Sequence, residues 1–237
     1  HVPEPNEADI EERTRREPMD AQARRSFFRA YGLGLTLLVA GYVLLTAFRD
    51  FRDNFARELW DALGYAGEPS IFTTAELPIA LGALLAIALV VRVRDNRSAL
   101  QVIHGILIAG AVLTLGSTAL YQMGVIGPAA WMIGVGLGLY LGYVPFNCVL
   151  FDRLVAAVGK AATAGFLIYV ADASGYLGSV ALLLYKSLGH PDLSWLDFFV
   201  GASYVTGIVC TILFTASMYW FKRETVHFGT PGQDSAG

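Results

Sequence analysis

The stretch AFRDFRDNFARE, residues 47–58, decides how this chain is read. It follows AYGLGLTLLVAGYVLLTAF, residues 30–48, which holds no Asp, Glu, Lys or Arg. Six charges then arrive between positions 49 and 58, while Phe still recurs at 48, 51 and 55. Either a membrane helix ends at Phe48, or it continues with one polar face. On a helix, Phe48, Phe51, Phe55 and Leu59 form one stripe at spacings of three and four. Arg49, Arg52, Asp53 and Arg57 fall largely outside that stripe. Arg49–Asp53, Asp53–Arg57 and Asp50–Asn54 are i, i+4 neighbours able to pair. We therefore read a helix that continues toward Trp60. At 1.5 Å per residue, Tyr31 to Trp60 covers roughly 45 Å, close to a full bilayer with its headgroups. Arg49 and Asp50 then lie within the outer half of the membrane, facing protein or water. If the helix leaves at Phe48, the same residues are a solvated juxtamembrane face.

The composition favours a membrane protein. Hydrophobic residues make up 55% of the chain and charged residues 16%, against about 25% charged in soluble domains. Mean hydropathy is +0.51. The net charge of −3 matters less than where the charges stand. No basic patch with interleaved aromatics suggests nucleic acid. Cys148 and Cys210 both lie in apolar runs and read as small hydrophobes, not as a disulfide or metal framework.

Six spans follow from runs of about 20 mostly apolar residues. Their expected limits are about 27–58, 71–92, 98–122, 129–152, 161–187 and 196–221, within a bundle of residues 27–221. Ser98–Phe151 is 54 consecutive residues without Asp, Glu, Lys or Arg, which suits two helices turning at Gly124–Pro128. Residues 1–26 read as a polar cytoplasmic linker and 222–237 as a cytoplasmic tail. The chain starts at His1, and the opening PEPNEADIEERTRREPMDAQARR suggests a fragment, a processed product or one portion of a longer protein.

Basic residues give the expected orientation. Thirteen lie on the side of the termini: Arg13, Arg15, Arg16, Arg24, Arg25, Arg29, Arg92, Arg94, Arg97, Arg153, Lys160, Lys222 and Arg223. Four lie opposite: Arg49, Arg52, Arg57 and Lys186. Both termini are expected in the cytoplasm. Trp60, Trp131, Trp195 and Trp220 stand near span ends, as interfacial anchors do.

Several small or polar residues inside the spans require a reason. Gly134, Gly138 and Gly142 lay a smooth strip on the fourth span, for close packing or for a surface that slides between two states. Pro145 should kink this span, with Asn147 two residues beyond. Asp172, mid-span in FLIYVADASGYLGSVALLLY, is either a carboxylate held by hydroxyls or an Arg, or a proton-coupling or solute-contacting group. Glu76, behind Thr73 and Thr74, reads as a helix-start device, with proton coupling as its alternative. Asp152–Arg153 is expected as an interfacial ion pair or an inter-helix latch. His104 reads as a satisfied interfacial histidine. No second ligand stands at metal spacing, and no nucleophile motif, phosphate loop or dinucleotide fingerprint occurs in a suitable context. No metal, cofactor or enzymatic activity is expected.

The blocks YVLLTAFRDFRDNFARELW, FTTAELPIA, YLGYVPFNCVLFDRLVAA and AGFLIYVADASGYLGSVALLLYK cover most of residues 30–190. With them the chain resembles the C-terminal six-helix half of a major facilitator superfamily transporter. It is more closely similar to a bacterial family of facilitator-like membrane proteins of unknown function. GKAATAGFLIYVADASGYLGS, residues 159–179, resembles the small-residue approach to the eleventh facilitator helix. RVRDNRSAL, residues 92–100, echoes the Asp-Arg-Gly-Arg loop motif without its glycine. The resemblance implies an all-α integral membrane protein whose six transmembrane helices form one half of a 12-helix fold. It implies a bacterial inner-membrane location and an N-terminal six-helix half, in this chain or another, with the site between the halves. Arg49, Asp50, Arg52, Asp53 and Asn54 would then line the solute path, together with Tyr140, Tyr143 and Asn147. Asp172 would be the coupling carboxylate. Arg94, Asp95, Arg97, Asp152 and Arg153 would stand at a cytoplasmic gate.

The expected function is half of a secondary transporter for a small charged organic solute. Paired Arg and Asp suit a zwitterionic or anionic solute, because a guanidinium grips carboxylate or phosphate bidentately. The alternative is a structural or accessory subunit of a larger membrane complex, with the charges paired among themselves or docking other subunits.

Overall fold

The computed structural model describes residues 21–158, 164–189 and 192–227. Most of the expected linker, Lys160, the first residues of the expected fifth span and the end of the tail lie outside them. Among the described residues the chain is helical and contains no strand. The elements are α1 (Ala21–Asn54), α2 (Ala56–Trp60), α3 (Ser70–Val91), α4 (Asn96–Gln122), α5 (Pro128–Pro145), α6 (Phe151–Val158), α7 (Ala164–Leu184) and α8 (Trp195–His227). They make six helices long and apolar enough to cross a bilayer, at Arg24–Asn54, Ser70–Val91, Asn96–Gln122, Pro128–Val158, Ala164–Gly189 and Trp195–Glu224. The protein is membrane-spanning and its outer helix faces meet lipid.

The charged stretch does continue the first helix. Phe55 donates its amide to Phe51 O at 3.0 Å and Leu59 to Phe55 O at 3.0 Å, so the ladder bridges the irregular residue between α1 and α2. Phe48, Phe51 and Leu59 are buried. Phe51 meets Phe198 at 4.9 Å between ring centroids and Phe55 meets Trp195 at 4.2 Å, which fixes this end of α1 to the start of α8. A widened, π-type turn, Asp61–Tyr65, then carries the chain toward α3, with Gly64 at φ 91°. That left-handed conformation suits a residue without Cβ.

α1 is the central element, packed on α7, α8 and α5, while α4 joins α5 and α8, and α3 lies on α5. Helix contact in a bilayer rests on close packing more than on hydrophobic transfer, and glycines provide it. A Cβ on Gly138 would stand 2.5 Å from Gly110 O and 2.4 Å from Thr114 Oγ1. Gly134 lies against Ser117 of α4, and Gly142 against Leu45 of α1. The glycine strip is therefore filled by two neighbouring helices. α4 ends at the expected turn: Gly124 has φ 71° and Val125 donates to Leu120 O at 2.9 Å, closing the helix end.

Two local expectations are corrected. Trp60 and Trp131 are buried, not anchored at an interface. Trp131 stacks on Tyr121 and donates to Thr118 Oγ1 at 3.0 Å, which satisfies its indole inside the bundle. His104 is fully buried as well, with Nδ1 2.8 Å from Leu100 O and Nε2 3.2 Å from Ser217 Oγ. α3 and α7 are the least buried of the six membrane-length helices. Leu77, Leu81 and Leu84 on α3 and Tyr169, Tyr176 and Leu177 on α7 are exposed.

Candidate functional site

Charges carried on a membrane helix need partners at the same depth, because an unpaired charge there costs several kcal/mol by contested estimates. Arg52 of α1 is the best-buried case, its side chain only 2% exposed. It donates to Asp53 Oδ1 at 3.1 Å and to Glu76 Oε1 of α3 at 2.7 Å. It passes where α5 has Gly136, whose hypothetical Cβ would stand 2.8 Å from an Arg52 terminal nitrogen. Arg49 donates to Asp50, and its guanidinium carbon lies 3.6 Å from the centroid of the Tyr143 ring. The expected i, i+4 pairs within the stretch are not the ones that form. The carboxylates are drawn instead to the neighbouring Arg and to other helices.

Those helices supply the rest of the network. Tyr140 of α5 donates to Asp53 Oδ2 at 2.9 Å, and Ser179 of α7 donates to Asp50 Oδ2 at 2.6 Å. One level along α1, Tyr42 donates to Asp172 Oδ1 at 2.8 Å. Asn147 donates to Tyr42 Oη at 3.0 Å and to Tyr143 O at 3.1 Å. The Tyr42 ring lies between the rings of Tyr143 and Phe146, at 6.0 and 4.0 Å. Tyr42–Asp172, Thr46–Gly175 and Asp50–Ser179 thus form successive levels of an α1–α7 seam.

Asn147 gains its position from Pro145, which has no amide hydrogen to continue the ladder. α5 ends there, and Phe146–Leu150 forms a widened turn before α6 resumes. At the break Tyr143 O accepts both the Phe146 amide and the Asn147 side-chain amide, so this carbonyl is satisfied inside the protein, as membrane depth demands.

The structure therefore brings together Arg49, Asp50, Arg52, Asp53, Glu76, Tyr140, Tyr143, Asn147 and Asp172. Asn54 is exposed and lines a small groove with Asp50 and Ser179. The helix-start reading of Glu76 is corrected. α3 begins at Ser70, Thr74 donates back to Ser70 O at 2.9 Å, and the Glu76 carboxylate takes the Arg52 hydrogen bond.

The expected gate residues gather elsewhere, at the end where α4 starts. Asp95 caps α4 by accepting from the Ser98 amide at 2.7 Å, and hydrogen bonds from Ser98 hold its carboxyl below the usual range. Arg153 donates to Asn96 Oδ1 at 2.8 Å. Asp152, Arg94 and Arg97 are exposed. The contact between these elements is thus Arg153–Asn96, and among the described residues Asp152 and Arg153 form no ion pair. Among the described residues no three of His, Cys, Asp and Glu gather as metal ligands.

Sequence reading missed Tyr42, Thr46, Ser179 and Gly136. Tyr42 and Thr46 were discoverable, because with Arg49, Asp50 and Asp53 they continue one polar face at spacings of three and four. The role of Gly136 depends on which helix crosses it, and one helix sequence does not contain that.

One family comparison matches residues 1–224, nearly the whole chain, and its description reads "Family of unknown function (DUF5690)". No curated protein and no solved structure matches.

Proposed function

We propose that this chain, which belongs to the family of unknown function DUF5690, is one half of a secondary transporter for a small charged organic solute. It would work by alternating access against an N-terminal six-helix half of facilitator type, in the same or another chain. In this reading it stands in a bacterial inner membrane with both termini in the cytoplasm.

One observation carries the reading. Four carboxylates, two guanidiniums and three tyrosines from α1, α3, α5 and α7 form one polar network within helices built for a bilayer. Ionisable groups at such depth mark solute or ion paths by default. α3 and α7, which flank the network, are also the most open helices, as a bundle awaiting a second half requires. The test is uptake of a broad panel of charged solutes by vesicles containing the full-length protein. Uptake that depends on the protein and falls with Asp172→Asn supports transport; no uptake across the panel counts against it.

Arg52 favours a second reading. A guanidinium sealed against Gly136 and bonded to two carboxylates is also what an ion-pair lock between helices looks like. The chain would then be a structural or accessory subunit of a larger membrane complex. Co-purification of a stable complex from native membranes, with no solute uptake, is its signature.

A further inference from the structure

The charges already in use narrow the class of solute. An anion would need a free guanidinium fork, since strong carboxylate or phosphate recognition uses two parallel N–H donors. Arg52 is buried, and its two terminal nitrogens are committed to Asp53 and Glu76. Arg49 gives one terminal nitrogen to Asp50 and is covered on one face by Tyr143; its Nε, like that of Arg52, is buried without a partner, a single enclosed N–H and not an open fork. Against these two cations stand Asp50, Asp53, Glu76 and Asp172, an excess of two carboxyl groups.

Asp172 is where the excess is least compensated. Among the described residues no cationic nitrogen lies within 4.0 Å of it, and Tyr42 bonds one of its oxygens. A second observation points to the same place. Thr46, one turn from Tyr42 on the α1–α7 seam, is 3% exposed, and its hydroxyl lies near that of Tyr42 without making a hydrogen bond of good geometry. It packs at Gly175, one turn along α7 from Asp172. A buried polar group without a partner is costly, and this hydroxyl leaves an acceptor beside an uncompensated carboxylate.

We infer that the solute is an organic cation, an amine or quaternary ammonium. Asp172 meets its charge, with the Tyr42 and Thr46 oxygens alongside. This rests on the transport reading of the same site, and it replaces the zwitterionic or anionic solute that paired Arg and Asp suggest in the bare sequence.

The test is equilibrium binding by the full-length protein in nanodiscs, read by calorimetry, with benzylammonium and benzoate as probes of one ring and opposite charge. Tetraethylammonium serves as a second cation. The cations should bind at least roughly tenfold more tightly than benzoate, because the Asp172 carboxylate attracts either cation and repels the benzoate carboxylate. Asp172→Asn should remove that preference and Asp172→Glu restore it. If Asp172→Asn does not fold, Tyr42→Phe and Thr46→Val should each weaken cation binding while leaving benzoate unchanged. Benzoate binding as tight as benzylammonium, cation binding indifferent to these substitutions, or no cation binding at all overturns the inference. Vesicle uptake separates the two proposals: protein-dependent uptake of anions alone retains transport and overturns the cation, whereas cation binding without uptake does the reverse.

Discussion

Arg52 and Glu76, 24 residues apart in sequence, meet at 2.7 Å across a gap that only the absence of a side chain at Gly136 leaves open. The cation is buried, whereas its acidic partners are partly open: Asp53 and Glu76 side chains are 36% and 47% exposed. That asymmetry decides what each substitution does.

Removing one acid leaves Arg52 the other, so Glu76→Gln alone should cost about 1 kcal/mol, near the upper range of exposed pairs. Removing both in Asp53→Asn/Glu76→Gln strands a buried cation and should cost about 3–5 kcal/mol. Adding Arg52→Met should recover most of that loss, because an apolar side chain of similar length needs no counter-charge. Unfolding midpoints of the four proteins in one detergent check the order. A double variant as stable as the single one would show that Arg52 is solvated.

Gly138 and Gly105 separate packing from propensity. Gly138 faces backbone, with Gly110 O 2.5 Å from its would-be Cβ, and backbone cannot swing aside. Gly138→Ala should therefore destabilise by about 1–3 kcal/mol through overpacking. Gly105 on α4 has nothing within 4 Å of that position. Gly105→Ala should be neutral or stabilising by up to about 1 kcal/mol through helix propensity. Thermal unfolding of both variants distinguishes them, and equal losses would argue against the α4–α5 contact.

The same contrast explains what could be read in advance. The six spans were legible because a bilayer imposes length and apolarity on each segment independently. The Phe48–Phe51–Leu59 stripe was legible because helical period alone puts those residues on one face. Partners were not. Asp53 sits four residues from both Arg49 and Arg57, yet Tyr140, 87 residues away, holds one of its oxygens. Sequence spacing ranks local neighbours, whereas the contacts here are set by how α5 and α7 dock on α1. Glu76 was misread as a helix-start acid for that reason: the residue awaiting it was on another helix.

Tyr42 should couple Asp172 to the break after Pro145. Its hydroxyl gives its hydrogen to Asp172 and accepts one from Asn147, so the two contacts share a single oxygen. Tyr42→Phe and Asp172→Asn should then be non-additive in stability, with an interaction of about 0.5–3 kcal/mol. A double-mutant cycle from unfolding midpoints measures it. Additive losses would mean that the hydrogen bond contributes nothing to folding.

Arg153 and Asn96 test whether the opposite end of the bundle works as a gate. The 2.8 Å contact ties the start of α4 to α6, beyond the break at Phe146–Leu150. Arg153 is half-buried, so losing this charge-assisted bond in Asn96→Ala should cost only about 1–2 kcal/mol of stability. If the contact holds one transport state closed, the same change also shifts the balance between states. Accessibility should then rise in the Asn96→Ala protein for a thiol reagent directed at Cys148, which is exposed within the break, while buried Cys210 stays protected. Labelling rates of the two cysteines in vesicles give the answer. Unchanged Cys148 labelling alongside a small stability loss would make Arg153–Asn96 a structural tie, and movement at this end would then have to come from elsewhere in the bundle.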